Sequence, residues 1–199
     1  MDIISLNRRA VLASVEVVER VTTDDLDRPT PCDGWRLSDL LAHMIAQHYG
    51  FAAAALGDGD TMSHWSVQPV GEDPLSAYRS SAEHVVAAFA SQGVLDRRFA
   101  LPEISTTATL RAERAIGFHF IDYVVHAWDV AVTLAVPLVL DSDLLEAVLP
   151  LVESVPNGAE RLEPGAAFAP GVDPGASVPL LSRVLAMLGR DPAWSPPTQ

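Results

Sequence analysis

The chain contains no lysine, so all 13 of its basic residues are arginines. This absence excludes lysine-based chemistry such as Schiff-base catalysis. The arginines form no extended basic run, and with 26 acidic residues the formal net charge is -13. Neither a nucleic-acid groove nor an anionic membrane surface is therefore expected as a partner.

Cysteine and long apolar runs are nearly absent as well. Cys32 is the single cysteine, which excludes an internal disulfide and favours a reducing compartment. A membrane-spanning helix needs roughly 18 apolar residues, and the closest stretch, 124–139, contains His126 and Asp129. The N-terminus has no uninterrupted apolar core of the signal-peptide kind. We therefore expect a cytoplasmic protein that does not enter the membrane.

Motifs of several common enzyme classes are also missing. The sequence has no Walker loop, no GxGxxG stretch and no Ser-His-Asp arrangement. NTPases, dinucleotide-binding enzymes and triad hydrolases therefore have no support.

The chain does have clear helical periodicity. Its 199 residues, of which 49% are hydrophobic, are enough to bury one substantial core. Apolar residues at helical spacing predict four long helices, over 3–21, 38–56 (with Ser38 as cap), 74–93 and 109–134. Shorter helices are predicted over 142–155 and 178–188, and a long connection with an extended piece over 94–107.

This pattern predicts an all-α four-helix bundle with one or two short extra C-terminal helices. Residues 1–155 are expected to form the bundle. Residues 156–199, rich in glycine and proline at first, are expected to form an irregular crossing segment and a C-terminal helix that packs on the bundle.

The longest predicted helix carries a polar stripe. On a helical wheel five polar residues share one narrow sector: His119, Asp122, His126, Asp129 and Thr133. One interpretation is an ordinary amphipathic helix whose stripe faces water. However, Lys, Arg and Glu are absent from residues 115–145, and His and Asp are poor helix formers but good metal ligands. A site and a solvated face are both compatible with the spacing.

His43 gives the stripe a possible partner on another helix. Asp122 and His126 lie one turn apart and point the same way. A carboxylate and an imidazole at that spacing, joined by a second imidazole, make a facial three-ligand site for a divalent metal with open positions. A lone histidine on an apolar helix is, however, more often a core or surface residue than a ligand. For Cys32 we expect structural burial rather than catalysis, because no histidine lies nearby in the sequence to activate it.

Two stretches resemble a known family. Residues 30–35 (Thr-Pro-Cys-Asp-Gly-Trp) followed by 40–43 (Leu-Leu-Ala-His) resemble the N-terminal signature of DinB-like, mycothiol-dependent maleylpyruvate isomerase-type metal-binding proteins. Residues 122–131 (Asp-Tyr-Val-Val-His-Ala-Trp-Asp-Val-Ala) are similar to the second signature of that family. The ends 168–172 and 188–192 are similar to a subgroup, so the resemblance covers nearly the whole chain.

The resemblance implies a DinB-like four-helix bundle that holds a divalent metal, usually zinc. By position the ligands would be His43, Asp122 and His126. Trp35, Trp128 and Asp129 would support them by packing or by hydrogen bonds. Family members with assigned activities use the metal to activate a low-molecular-weight thiol, here mycothiol, which attacks a small electrophile. Such bundles are often dimers, so a homodimer is also expected.

Three functions remain open at this point. The first is metal-dependent thiol transfer to, or isomerisation of, a small electrophile. The second is metal-dependent hydrolysis, in which His119 or Asp129 would serve as general base. The third is a non-catalytic bundle that binds a metal, a ligand or a protein partner.

Overall fold

The computed structural model of the protein describes residues 2–163, 165–175 and 177–197. Within these ranges there are six α-helices and one short hairpin: α1 (Ile3–Val18), α2 (Leu37–Leu56), α3 (Pro74–Phe89), β1 (Arg98–Ala100), β2 (Thr109–Arg111), α4 (Ala112–Leu134), α5 (Ser142–Glu153) and α6 (Leu180–Met187). The predicted ranges 1–155 and 156–199 also include positions 1, 164, 176, 198 and 199, which lie outside the described residues.

The first four helices form the bundle. Helix α1 packs mainly on α4 and α2 mainly on α3, while α1–α3 and α2–α4 contacts complete the four-sided arrangement. Helices α5 and α6 pack against each other, and α5 also contacts α4 and α1. The prediction of an all-α, DinB-like four-helix bundle with short extra C-terminal helices is confirmed.

Local interactions explain where the helices begin. The Asp2 and Asp73 carboxylates accept hydrogen bonds from backbone N–H groups in the first turns of α1 and α3, as good N-caps do. Ser38 is not the cap of α2, as the sequence predicted, because the helix begins one residue earlier. Instead, the Asp39 carboxylate accepts from the backbone N–H of Arg36, 2.9 Å away.

The hairpin shortens the fourth helix relative to its prediction. Residues 109–111 pair antiparallel with residues 98–100, so α4 begins at Ala112 rather than at 109. The expected extended piece is therefore one strand of this hairpin. Helix α3 ends at Phe89, before the predicted limit at residue 93.

The bundle interior has two apolar clusters. The larger one joins α1, α2 and α4 to α5 and α6. The smaller one lies around Phe51, Trp65, Phe89 and Phe99, beside the hairpin and the start of α4. Fully buried polar side chains also lie within the bundle, among them those of His48 and His119.

Arg161 anchors the segment after α5 by hydrogen bonds to the backbone. Arg161 is buried and donates hydrogen bonds to the backbone carbonyls of Pro156, Ala169 and Met187. These bonds tie the irregular segment to the end of α6. That connection fixes the position of the chain just beyond α6. This part of the chain reaches the end of the bundle that contains His43 of α2 and His126 of α4.

No helix in the described ranges is long and apolar enough to cross a bilayer.

We predict opposite effects on stability when alanine replaces either of two helical glycines, Gly50 and Gly117. In Gly50→Ala the new Cβ would lie 2.3 Å from the ring of Trp65, which is buried and held by its bond to the Gly59 carbonyl. Overpacking of this kind costs about 1–3 kcal/mol. In Gly117→Ala the nearest atoms are the Leu151 methyls, at 3.6 Å or more, so the better helix propensity of alanine should stabilise by about 0.5–1 kcal/mol.

Urea unfolding followed by circular dichroism would measure both effects. Gly117→Ala serves as the control for the intrinsic benefit of alanine in a helix. A Gly50→Ala variant as stable as Gly117→Ala would contradict the described packing of Trp65.

Candidate metal centre

The structure brings the three residues of the predicted site together. His43 comes from α2, and Asp122 and His126 come from successive turns of α4. One potential ligand atom from each lies within 4.8 Å of the others. His126 Nε2 is 3.2 Å from Asp122 Oδ1, and the rings of His43 and His126 meet edge to face with centroids 5.3 Å apart.

The three groups differ in charge. Burial alone would raise the pKa of Asp122, but the positive charge of His126 and its hydrogen bond hold that pKa well below its usual value. Burial opposes the charged form of His126, yet the Asp122 carboxylate and further hydrogen bonds keep its pKa well above 6.5. Burial and the charge of His126 lower the pKa of His43 to about 4. The cluster therefore offers one carboxylate and one neutral imidazole, and the proton on His126 is the one a cation would replace.

Asp129 fixes the orientation of His126. The Asp129 side chain has no exposed surface, and its Oδ2 lies 2.8 Å from His126 Nδ1. With the Nδ1–H donated to this carboxylate, Nε2 is the nitrogen that faces Asp122. A ligating histidine whose other nitrogen donates to a carboxylate is the usual arrangement in metal sites.

The residues present therefore fit a divalent metal. Two imidazole nitrogens and one carboxylate oxygen match the donor sets of catalytic zinc and related ions. The Asp122 side chain is 21% exposed while that of His126 is 6% exposed, so the cluster is buried on one side and reaches solvent on the other. Such a site leaves room for a further ligand from solution.

Arg190 and Cys32, which the sequence did not connect with the site, both contact the Asp129 carboxylate. The Arg190 guanidinium donates from Nε to Asp129 Oδ1 at 3.0 Å and from Nη2 to Oδ2 at 3.2 Å. The same Nη2 lies 3.2 Å from Cys32 Sγ. Burial would raise the pKa of Asp129, but His126 and Arg190 together hold it below its usual value.

Cys32 is buried, as expected, but it is also part of this network. Its Sγ lies 3.4 Å from Asp129 Oδ2. The sequence separations, 97 residues from Cys32 to Asp129 and 61 from Asp129 to Arg190, leave no periodic signal. The one available hint was that Arg190 lies within the 188–192 stretch of the family resemblance.

The predicted supporting residues have different positions. Trp35 is partly exposed, and its ring lies 5.0 Å from that of His43. Trp128 is buried in the larger apolar cluster. His119 instead belongs to a buried polar layer deeper in the bundle, where its Nδ1 lies 2.7 Å from Asn7 Oδ1 and its ring stacks on Tyr123.

The interpretation of the α4 stripe as a solvated face is wrong. His119, His126, Asp129 and Thr133 are all buried, and Asp122 is partly exposed. Burial lowers the pKa of His119 to about 3, so this imidazole is neutral. The stripe therefore faces the bundle interior.

Two cavities lie on the surface near α2. One, of about 530 Å³, is open and lies between residues 27–36 and Trp194, with Trp35 in its wall. The other, of about 500 Å³, lies between α2, α3 and residues 58–70 and is lined by Tyr49, His64 and His84 among others. Trp35 links the first cavity to the site, because its ring lies in the cavity wall and 5.0 Å from the ring of His43.

The fold and the site together define the class of this protein. It is a four-helix bundle with a candidate metal centre of two histidines and one aspartate on two of its helices. Residues 8–131 match the model of the mycothiol maleylpyruvate isomerase N-terminal domain, and the chain belongs to this family. The matched range contains all three residues of the cluster. Arg190 and Trp194 lie outside it.

The chain is also similar to two curated proteins and to two solved structures. The chain is 26% identical over 196 residues to the uncharacterized proteins MT0763 and Rv0738 of two Mycobacterium tuberculosis strains, CDC 1551 and H37Rv, covering 96% of this chain and 98% of each relative. Crystal structures of the mycothiol-dependent maleylpyruvate isomerase and of a histidine-to-alanine mutant superpose with TM-scores of 0.56 and 0.55 at 15% and 14% identity. These superpositions cover 75% of this chain and 66% of the isomerase, just under two thirds of its length, and they show a common fold.

The contact between Asp129 and His126 predicts that Asp129→Asn weakens metal binding. Loss of such an outer partner of a ligating histidine typically costs about 10–100-fold in affinity. Asp58→Asn is a matched control, because Asp58 also lies 2.8 Å from a histidine, His64, but both side chains are well exposed. Zinc titration against a competing chelator would measure both, and equal affinities in the two variants would contradict the assigned role.

Proposed function

We propose that the protein is a divalent-metal-dependent enzyme that activates a low-molecular-weight thiol for S-transfer to, or isomerisation of, a small electrophile. Mycothiol is the thiol that the family name suggests, and zinc is the metal that the donor set favours. The observation that carries the proposal is that both ring nitrogens of His126 have carboxylate partners. Its Nδ1 lies against Asp129 and its Nε2 faces Asp122.

His43, Asp122 and His126 would hold the metal. When bound, the ion would supply Lewis acidity, which lowers the pKa of a coordinated thiol from about 8.5 so that it binds as the thiolate. Asp129 retains the proton on His126 Nδ1 and keeps the ring from turning. The His126 side chain is only 6% exposed, so this side of the cluster is shielded from water.

The small molecules would approach from the cavity beside Trp35. This cavity of about 530 Å³ is within the usual range for ligand sites. Trp35 and Trp194 offer apolar ring surfaces in its wall, and Arg36 and nearby carboxylates offer polar contacts. The isomerase is longer than this chain, and here residues after 155 supply Trp194 to the cavity wall. We therefore leave the electrophile as a small-molecule class rather than assign maleylpyruvate.

Both candidate general bases of the hydrolase alternative, His119 and Asp129, are fully buried and already hydrogen-bonded through at least one atom. His119 Nδ1 is engaged with Asn7 within the bundle, and Asp129 is engaged with both His126 and Arg190. The fixed orientation of His126 supports metal binding, and the partly exposed Asp122 side chain supports an open position for a thiol from solution.

The proposal predicts turnover that requires both metal and thiol. Zinc-loaded protein would be incubated with maleylpyruvate and with a panel of small electrophiles, each with mycothiol, with glutathione and without thiol. We expect reaction with mycothiol only, and in His126→Ala a loss larger than the roughly 10–100-fold typical of outer-shell changes. The rate would be followed by loss of electrophile.

His84→Ala is the matched control, because His84 is an exposed histidine on α3 that lines the other cavity. It should retain the wild-type rate. Turnover of a substrate at the same rate without thiol would contradict the proposal and favour hydrolysis. Full activity in His126→Ala would contradict the role of the cluster.

A further inference from the structure

Two overlapping sets of potential ligands share His126. The outer set is His43, Asp122 and His126, and the inner set is Cys32, His126 and Asp129. The inner set is the more deeply buried, and it contains a sulfur, a donor that zinc binds well. On donor chemistry alone, either set could take the ion.

Arg190 distinguishes the two sets. Its guanidinium bonds to both Asp129 oxygens and to Cys32 Sγ at 3.0–3.2 Å, so a permanent positive charge already contacts two of the three inner ligands. A second cation there would face this charge at short range in a buried setting, where the repulsion is strong. Among the described hydrogen bonds, none joins the guanidinium to His43 or Asp122, on which its charge acts only through space.

We propose that Arg190 is a positioning residue that excludes a metal from the inner set and thereby assigns it to the outer set. This inference rests on the proposed function, since it concerns the same metal. By occupying Asp129, Arg190 keeps that carboxylate as the hydrogen-bond partner of His126 Nδ1. It also keeps the Cys32 sulfur away from the ion.

The local chain geometry explains how Arg190 reaches the site. Gly189, two residues after the last residue of α6, has a φ of +75°, a left-handed conformation that glycine adopts easily. A Cβ at Gly189 would lie 2.5 Å from the Ala169 carbonyl oxygen, so the turn passes too close to the backbone for a side chain. The Arg190 side chain is 10% exposed, which is low for an arginine.

Cobalt(II) substitution tests the inference, because a coordinated thiolate gives cobalt a charge-transfer band in the near ultraviolet. We expect wild-type protein and Cys32→Ser to give identical cobalt spectra without this band. In Arg190→Gln the inner set is free of the guanidinium, and we expect the band to appear. In the double variant Arg190→Gln/Cys32→Ser it should disappear again.

Arg183→Gln is the matched control. Arg183 lies on α6 and pairs with Glu153 of α5 at 2.8 Å, so its loss loosens the same part of the chain without touching the site. Its cobalt spectrum should equal that of wild type. Arg190→Lys, which keeps a positive charge, should also lack the band.

A folded Arg190→Gln variant without the band would overturn the inference. A thiolate band in wild type that Cys32→Ser removes would overturn it as well. This comparison of wild type with Cys32→Ser can therefore refute the inference even if Arg190→Gln does not fold. If wild type binds no cobalt while Arg190→Gln gains the band, the proposed function fails but the exclusion by Arg190 stands.

Discussion

The Asp129 carboxylate is completely buried and accepts hydrogen bonds from two cations or potential cations, His126 on one side and Arg190 on the other. An isolated carboxylate in this position would be very unfavourable, because burial of an unpaired charge costs several kcal/mol. The site therefore requires both partners at once. His126 is supplied by the same helix one turn earlier, whereas Arg190 must arrive from the far end of the chain.

This requirement links the bundle to the C-terminal segment. Helix α6 and the turn at Gly189 carry Arg190 to the end of α4, and Arg161 holds that segment by bonds to three backbone carbonyls. The family model ends at residue 131, so the three residues of the cluster lie within the matched range. Of the residues that support the cluster, Cys32 and Asp129 also lie within the matched range, whereas Arg190 lies outside it.

The part of the site that depends on local spacing was predictable from sequence. Asp122 and His126 are one turn apart, and the spacing alone indicated that they share a direction. The sequence could not show how deeply each residue of the stripe is buried. His119 lies in the same stripe, but one turn of about 5.4 Å places it in a buried layer with Asn7 and Tyr123.

The long-range part was not predictable. Cys32 and Arg190 reach Asp129 only through the packing of a loop and a C-terminal turn, and no pattern in the sequence encodes that meeting. The helices were predictable because their apolar periodicity is regular. The start of α4 was not, since residues 109–111 pair in a hairpin with a strand nine to thirteen positions earlier in the chain, from Ala100 with Thr109 to Arg98 with Arg111.

The most direct test of this account is metal content, measured by elemental analysis on protein purified without chelators and again after zinc is added back and the excess removed. The account predicts about one equivalent of a divalent metal in wild type, as for a single three-ligand catalytic site. It predicts loss of that metal in His43→Ala and in His126→Ala, with His84→Ala unchanged as an exposed control. Wild-type protein that binds no metal after zinc addition, or both site variants retaining a full equivalent, would contradict it.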